Sequence, residues 1–458
     1  MRVIIDNKIY VEDPSPELSN WCKENLIIDN PDFFKKEKLG KWTGNTPKQI
    51  WLYEKNGNDL LLPFGCIKRI SPLLHNVKFK SLIKPLERIS YESGINLYSY
   101  QKKAVESVLK AKNGILVMPP GSGKTQTGLE IISRLGGKAL WLTHTKDLLT
   151  QSMNRAKGVL DIDGTYGTIT EGKADIGSHI TFATIQTLSK MDLSHYKDMW
   201  DVIIVDEVHH AAGSPTRVTQ FYKVLSRLSA RYKIGLTATP KRADGLEKSM
   251  FALLGDIVHE VTRDEISDFL CPIKVTTIET GYRPDYDIVL LGDGTLDYTK
   301  LVDAMIHDEQ RFELVKEIIE DCISKGSTLV LGNRIEYLQR MNDAVDGNTL
   351  CLSGMGYSKK AKEERKNALK KLNDGELDCV LSSYLLAKEG LDVPNLRYVI
   401  FATPEKDPTT IQQSVGRVGR KADGKDCGTV IDLVDSFGMY KGWRAKRESV
   451  YKKIHAEY

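Results

Sequence analysis

Cysteine is sparse in this chain of 458 residues: seven, at positions 22, 66, 271, 322, 351, 379 and 427, with no C-x-x-C pair. That spacing speaks against a disulfide framework or a structural zinc site and suits reduced thiols in a cytoplasmic compartment. Long apolar runs are missing too. The longest, such as "DVIIVD", are strand-sized, too short to cross a bilayer, so no membrane partner is expected. The opening "MRVIIDNKIYV" alternates like a strand and lacks the apolar core and cleavage site of a secretory signal. Neither sign of charge dominates, since 65 basic and 61 acidic residues leave +4. An anionic partner therefore has to be argued from local patches. No low-complexity tract interrupts the chain.

What is present is a length suited to two or three domains, with 41% hydrophobic and 28% charged residues. From about residue 98 the pattern becomes regular. The amphipathic "SYQKKAVESVLKAKNG" stops at Asn113-Gly114 and yields to the apolar "ILVM"; the strand-like "KALWLT", "HITFAT", "DVIIVD" and "YKIGLTAT" follow between helical stretches. Beyond residue 265 the alternation starts afresh. A helix that puts Phe312, Val315, Ile318, Ile319 and Cys322 on one face precedes "STLVLG", "TLCLSG", "DCVLSS", "RYVIFAT" and "GTVIDLV". Buried strands separated by helices predict two α/β units with parallel sheets. The first 90 residues, rich in turn signals and holding three of the six tryptophans, are read as a small, mostly β module. Its connection, Lys68 to Arg88, carries six basic residues and one acidic. The expected domains are 1–90, 91–265 and 266–458, the last with a basic tail, and Tyr282 to Tyr298 is the candidate mobile insertion.

"LVMPPGSGKTQTGLE" reads as a phosphate-binding loop, although Met118 stands where a strict G-x-x-x-x-G-K-[ST] pattern has glycine. Gly121 and Gly123 permit a tight turn close to phosphate, and the helix opening at Lys124-Thr125 turns free N–H groups toward the anion. Lys124 would reach the β and γ phosphates of ATP and Thr125 would ligate Mg²⁺. "VIIVDEVHH" ends a strand in two carboxylates: Asp206 would hold Mg²⁺, and Glu207 would deprotonate the attacking water. His209 and His210 do not complete a metal set. In "QQSVGRVGR", Arg417 and Arg420 lie three apart, so on one helical turn they would point the same way as arginine fingers.

Together these segments resemble superfamily 2 helicases of the DExH type from residue 95 onward, with the motifs in the family's order. "YSYQKKAV" resembles the adenine-recognition segment, which implies Tyr100 stacking and Gln101 reading the base edge. "PPGSGKT", Pro120, Gly121, Ser122, Gly123, Lys124 and Thr125 included, is similar to motif I, which in this family commonly lacks the first glycine. "LTHTKDLLTQ" and "FATIQTL" resemble the strand-contact motifs, "DEVHH" motif II, and "GLTATP" motif III. "LVLGNRIEYLQ", "LLAKEGLDVPN" and "QQSVGRVGR" resemble motifs IV, V and VI. The resemblance implies two tandem RecA-like domains that hydrolyse ATP with Mg²⁺. Lys124, Asp206, Glu207, Gln413, Arg417 and Arg420 would be catalytic, Gly390 and Asp392 would bind nucleotide, and His209, Thr237 and Thr239 would couple hydrolysis to movement. Nucleic acid would lie along Thr143, His144, Thr145, Thr184, Gln186, Asn333, Arg334 and Ser382.

The segment Asn30 to Gly65, with N-P-x-F, G-x-W-x-G and L-L-P-F-G, resembles the N-terminal module of the UvsW-like recombination helicases of phage. That implies an ATP-dependent DNA helicase or translocase acting on branched DNA, with the module as a DNA-recognition element. Trp42, Trp51 and Phe64 are read as that module's own core rather than as base-stacking surfaces. An RNA helicase, the motor subunit of a restriction system and an ATP-gated nucleic-acid clamp are the alternatives. Single-stranded, duplex or branched DNA is the expected partner, RNA the alternative, and the sequence leaves the oligomeric state open, a monomer included.

Overall fold

The computed structural model describes residues 1–75, 77–212, 214–240, 245–285, 289–290, 297–352, 359–384, 393–435 and 437–457, without the side chains of 217 and 359–362. The chain forms two compact units, Met1–Thr262 and Arg263–Tyr458.

In the first unit the two glycine-free residues Asp6 and Asn7 turn the opening strand Arg2–Ile5 back into Lys8–Glu12, so one alternating run becomes a hairpin. A five-stranded sheet results, in the order Glu54–Asn56, Asp59–Pro63, Lys8–Glu12, Arg2–Ile5, Lys78–Ser81. Part of the basic connection is thus not a linker: Lys78–Ser81 pairs in parallel with Arg2–Ile5 as an edge strand, and its lysines suit an edge that must not recruit another chain. Two helices join the sheet. Pro16–Asn25 is capped by Ser15, and Pro31–Lys38 is capped by Asn30, whose side chain accepts the Asp32 N–H. The N-P-x-F run is therefore a helix start, with Asn at the cap and Pro at the first helical position.

Behind this module lies an eight-stranded sheet in the order Lys173–Asp175, Tyr166–Thr170, Ile180–Thr184, Ala139–Thr143, Val202–Val205, Tyr232–Thr237, Gly114–Val117, Ile257–Glu260. All its pairings are parallel except the hairpin at the first edge. One apolar cluster runs from Val3, Ile9, Leu62 and Ile70 of the module to Val117, Val205 and Leu254 of the motor. Polar contacts fix the same junction: Asn7 Nδ2 donates to the Ser226 carbonyl at 2.5 Å, and Lys197 pairs with Asp6 at 2.5 Å. Lys233, wholly buried, donates to the Leu225 carbonyl at 2.9 Å and lies 4.8 Å from the centre of the Phe64 ring.

One expectation about the module has to be corrected. Phe64 is buried, but Trp42 is 85% and Trp51 51% exposed. The core of so small a sheet is already filled by aliphatic residues such as Val3, Leu18 and Leu62, and the chain from Leu39 to Trp51 leaves both tryptophans in solvent.

The second unit is a six-stranded, all-parallel sheet in the order Ile273–Glu279, Gly428–Val434, Tyr398–Phe401, Thr328–Gly332, Cys379–Ser383, Thr349–Leu352. Helix Glu309–Ile323 buries Phe312, Val315, Ile319 and Cys322 as the periodicity requires, with Ile318 at the margin. It also buries Arg311, whose guanidinium grips both oxygens of Asp435 at 2.8 and 3.1 Å and donates to the Ala402 carbonyl at 2.9 Å. The basic tail is a helix, Gly438–Lys453, packed on the sheet through Tyr440, Trp443 and Val450. Its Arg447 is buried and pairs with Asp432 at 2.9 Å. Of the expected mobile insertion, 286–288 and 291–296 lie outside the described residues, whereas Tyr282 and Val289 are core residues. Each unit is a doubly wound parallel sheet, a RecA-like arrangement.

Candidate active site

The strand Gly114–Val117 lies in the interior of the first motor sheet and delivers the chain to the loop at its C-terminal tip, where such sheets hold ligands. Met118 explains itself here. Its side chain is wholly buried and its N–H bonds the Thr237 carbonyl at 2.8 Å, so it closes the strand instead of facing phosphate. Pro120 is half-buried and Gly121 exposed with φ 81°. Gly123, at φ 78°, caps the helix Lys124–Leu135, and a Cβ there would fall 2.5 Å from Gln101 Nε2. Only glycine fits that cradle.

Tyr100 and Gln101 are buried beneath the loop, and both donate to the Ser122 carbonyl at 3.0 Å. Gln101 Oε1 in turn accepts the Tyr98 N–H at 2.9 Å, closing a capping box on the helix Ser99–Ala111. These two residues brace the phosphate loop from below. The exposed ring of the pair is Tyr98, which stacks on Tyr100 with centroids 5.9 Å apart. Tyr98 carries no sequence signal of its own, since a capping box has Ser or Thr where this helix has Tyr.

The second carboxylate source arrives as the spacing requires. Strand Val202–Val205 ends beside the loop, and Lys124 Nζ reaches Glu207 Oε1 at 3.3 Å. Glu207 sits at φ 48°, a left-handed conformation that costs roughly 1–2 kcal/mol for a non-glycine residue and marks a site held by its surroundings. The two acids are driven apart. Burial, then the Glu207 charge, pushes Asp206 up to about 7. Burial would raise Glu207 as well, but Lys124 and the neighbouring His209 and His210 outweigh it and hold Glu207 well below the carboxylate range. His209 Nδ1 lies 3.3 Å from Glu207 Oε2 and 3.1 Å from Thr237 Oγ1, which accepts the Thr239 N–H at 3.1 Å. The carboxylate pair is thereby joined to the next motif through one imidazole.

The donor set fits a magnesium-bound nucleoside triphosphate. Asp206 is a buried carboxylate, and among the described residues it has no ion pair and the Thr125 hydroxyl has no hydrogen-bond partner.

The expected nucleic-acid residues fall into two groups. Thr143, His144, Thr184 and Ser382 are buried; Thr143 donates to the Thr145 carbonyl at 3.0 Å and Thr184 to the Thr187 hydroxyl at 3.0 Å. Thr145, Gln186 and Arg334 are half-exposed and Asn333 is exposed. In the second unit, Gln413, Arg417 and Arg420 are half-buried on or after the helix Pro408–Val418. That helix ends at the cap residue Gly419, so Arg420 lies beyond its last turn and the three-residue helical phase does not align it with Arg417. Gly390 and Asp392 lie outside the described residues.

Two family models match the chain, the type III restriction enzyme res subunit over residues 94–242 and the helicase conserved C-terminal domain over 310–422, together more than half of its length. The ATP-dependent DNA helicase uvsW of Enterobacteria phage T4 is 23% identical over 99% of this chain and 95% of its own. A protein of Acanthamoeba polyphaga mimivirus named as an ATP-dependent RNA helicase is 25% identical over 84% of this chain and 72% of its own. Among solved structures, the type ISP restriction-modification enzyme LlaBIII bound to DNA superposes with a TM-score of 0.58 at 19% identity, over 79% of this chain and 30% of that one. The fold, the phosphate loop with its two-carboxylate strand and these matches agree: the chain is a superfamily 2 helicase, an ATP-hydrolysing enzyme of two RecA-like motors that resembles UvsW.

Proposed function

We propose that the chain is an ATP-driven DNA helicase or translocase that remodels branched DNA, as in fork regression, junction migration or R-loop removal. The observation that carries this reading is the end-to-end alignment with a helicase named for DNA, which takes in the N-terminal module as well as the motors. A module welded to the first motor by a common core, as here, moves with it and can present a DNA junction to it.

The site chemistry supports an ordered cycle. Lys124 rests on Glu207, and an incoming triphosphate would draw it to the β and γ oxygens. Glu207 then loses its strongest stabilising charge, its basicity rises, and it can take the proton of the attacking water. Thr125 and Asp206 would hold magnesium, which when bound offsets phosphate charge. Arg417 and Arg420 are proposed to stabilise the γ-phosphate and Gln413 to position the water. The His209–Thr237 contact would carry the change at Glu207 to the strand-contact residues Thr145, Gln186, Asn333 and Arg334. Contacts of that kind grip the sugar-phosphate backbone, so binding should tolerate sequence and weaken with salt.

The test is the magnesium-dependent ATPase rate with no nucleic acid, single-stranded DNA, duplex DNA, a four-way junction and single-stranded RNA. Strongest stimulation by the junction or by single-stranded DNA is expected. Stimulation by RNA alone would favour the second reading, an RNA helicase, which the mimivirus relative supports by its name.

A further inference from the structure

The N-terminal module exposes a feature that its own folding does not use. Trp42 stands 85% exposed in the loop between helix Pro31–Lys38 and strand Gln49–Trp51. The loop is built, not slack. Gly40 N–H bonds the Glu37 carbonyl at 3.0 Å, Lys41 N–H the Lys36 carbonyl at 2.9 Å, Thr46 N–H the Thr43 carbonyl at 2.9 Å, and Lys36 Nζ the Thr46 hydroxyl at 2.7 Å. Gly44 has φ 48°, and a Cβ on it would fall 2.5 Å from Trp42 Cζ3. The six-membered ring of the indole thus lies across the bare Cα of Gly44, which explains the second glycine of G-x-W-x-G and gives one face of the ring a backbone to rest on.

Charge around the ring is mostly positive. Five lysines and two carboxylates occur between Asn30 and Trp51, and Lys35, Lys38 and Lys41 are exposed with no ion pair among the described residues. A second half-exposed indole, Trp51, lines a groove of about 460 Å³ with Gln49, Thr46, Thr216 and Thr219, Asp32 being the one carboxylate on its wall. Protein interfaces are depleted of lysine at their centres. An exposed aromatic plane among unpaired lysines is instead the arrangement that stacks a base and neutralises the adjoining phosphates.

We infer that the loop Gly40–Gly44 is a base-stacking platform for a single-stranded DNA segment, Trp42 stacking one unpaired base while Lys38 and Lys41 contact neighbouring phosphates. This rests on the DNA-helicase reading and deepens it, since branched DNA offers such unpaired bases where strands part.

The experiment uses the full chain and fluorescein-labelled dT20, with anisotropy for affinity and intrinsic tryptophan fluorescence for contact. Stacking predicts that dT20 quenches an exposed, red-shifted emission component which W42A lacks. It also predicts that W42A binds dT20 about 5- to 100-fold more weakly at fixed salt while W42F retains most of the affinity. K38A and K41A should each lower the salt slope of binding by about 0.7. Binding by W42A within twofold of the parent, equal losses for W42A and W42F, or a Trp42-dependent preference for rU20 over dT20 would each overturn the proposal. Nucleic-acid-stimulated ATPase of the unsubstituted chain is measured beside these. Stimulation without a Trp42 effect removes the platform alone, whereas absence of stimulation removes the helicase reading and leaves the platform to be decided by the quench and the affinities.

Discussion

At the residue scale, the phosphate loop shows how few side chains the chemistry leaves free to vary. Gly123 is fixed twice, by its left-handed backbone and by Gln101 directly beneath it. Gly123→Ala should therefore distort the loop without unfolding the unit: a loss of about 1–2 kcal/mol in stability and a steep rise in KM for ATP, read from thermal melts and steady-state ATPase. Lys124→Ala removes the cation of the phosphate loop, and ATPase should fall by about 10²–10³-fold, with the fold intact by circular dichroism. Full activity in that variant would refute the site assignment. The lysine, the carboxylates and the glycines were all legible in the sequence as candidates, because a phosphate-binding loop and a strand end are patterns local in the chain. That Gln101 spends both ends of its amide on the protein was not, since its partner is the Ser122 carbonyl and backbone carbonyls leave no trace in a sequence.

At the element scale, two buried cations bind strands and helices into units. Arg311 ties helix Glu309–Ile323 to the end of strand Gly428–Val434 through Asp435. Burial alone would weaken its charge, but Asp435 overrides that and holds the guanidinium protonated. Asp435→Ala leaves the guanidinium buried and unpaired and should cost about 3–5 kcal/mol, measured as a shift in denaturant midpoint. Lys233 is the opposite case. Burial drives its ammonium down from 10.5 to about 7, with only Asp6 opposing. Between those values the unfolded chain binds the proton that the folded chain has released, so this residue makes stability rise with pH from about 7 to 10.5 and adds no slope below. Lys233→Met should remove that rise, a difference on the order of 5 kcal/mol across the window, seen by comparing the two melting profiles. The periodic faces of these elements were readable from apolar spacing. Arg311 and Lys233 were not, because a charged residue in an apolar stretch reads as exposed until its partner, more than a hundred residues away or on the facing module, is known.

At the scale of the whole molecule, the proposed catalytic groups are divided between the units: Lys124, Asp206 and Glu207 in one, Gln413, Arg417 and Arg420 in the other. If the arginines serve the γ-phosphate, residues 1–262 expressed alone should bind ATP with magnesium yet turn it over about 10³-fold more slowly or worse. Arg417→Ala in the full chain should reproduce the defect. Equilibrium dialysis and single-turnover hydrolysis separate the two effects, and normal turnover by the isolated unit would rule out the fingers.

Sequence by itself determined the class of the molecule. Alternating apolar strands and helices, twice over, can bury both faces of a strand only as two parallel sheets, and the motif order places phosphate chemistry at the strand tips. It also singled out Lys124, Asp206 and Glu207 as the candidates for that chemistry, because loop and strand ends are local in the chain. Tertiary structure decided what depends on contacts far apart in sequence. It put the connecting segment Lys78–Ser81 into a sheet edge and packed the basic tail onto a core. It ended the helix before Arg420 and turned Trp42 outward. In each case local composition allowed both outcomes, and the choice fell to whether a buried partner was waiting.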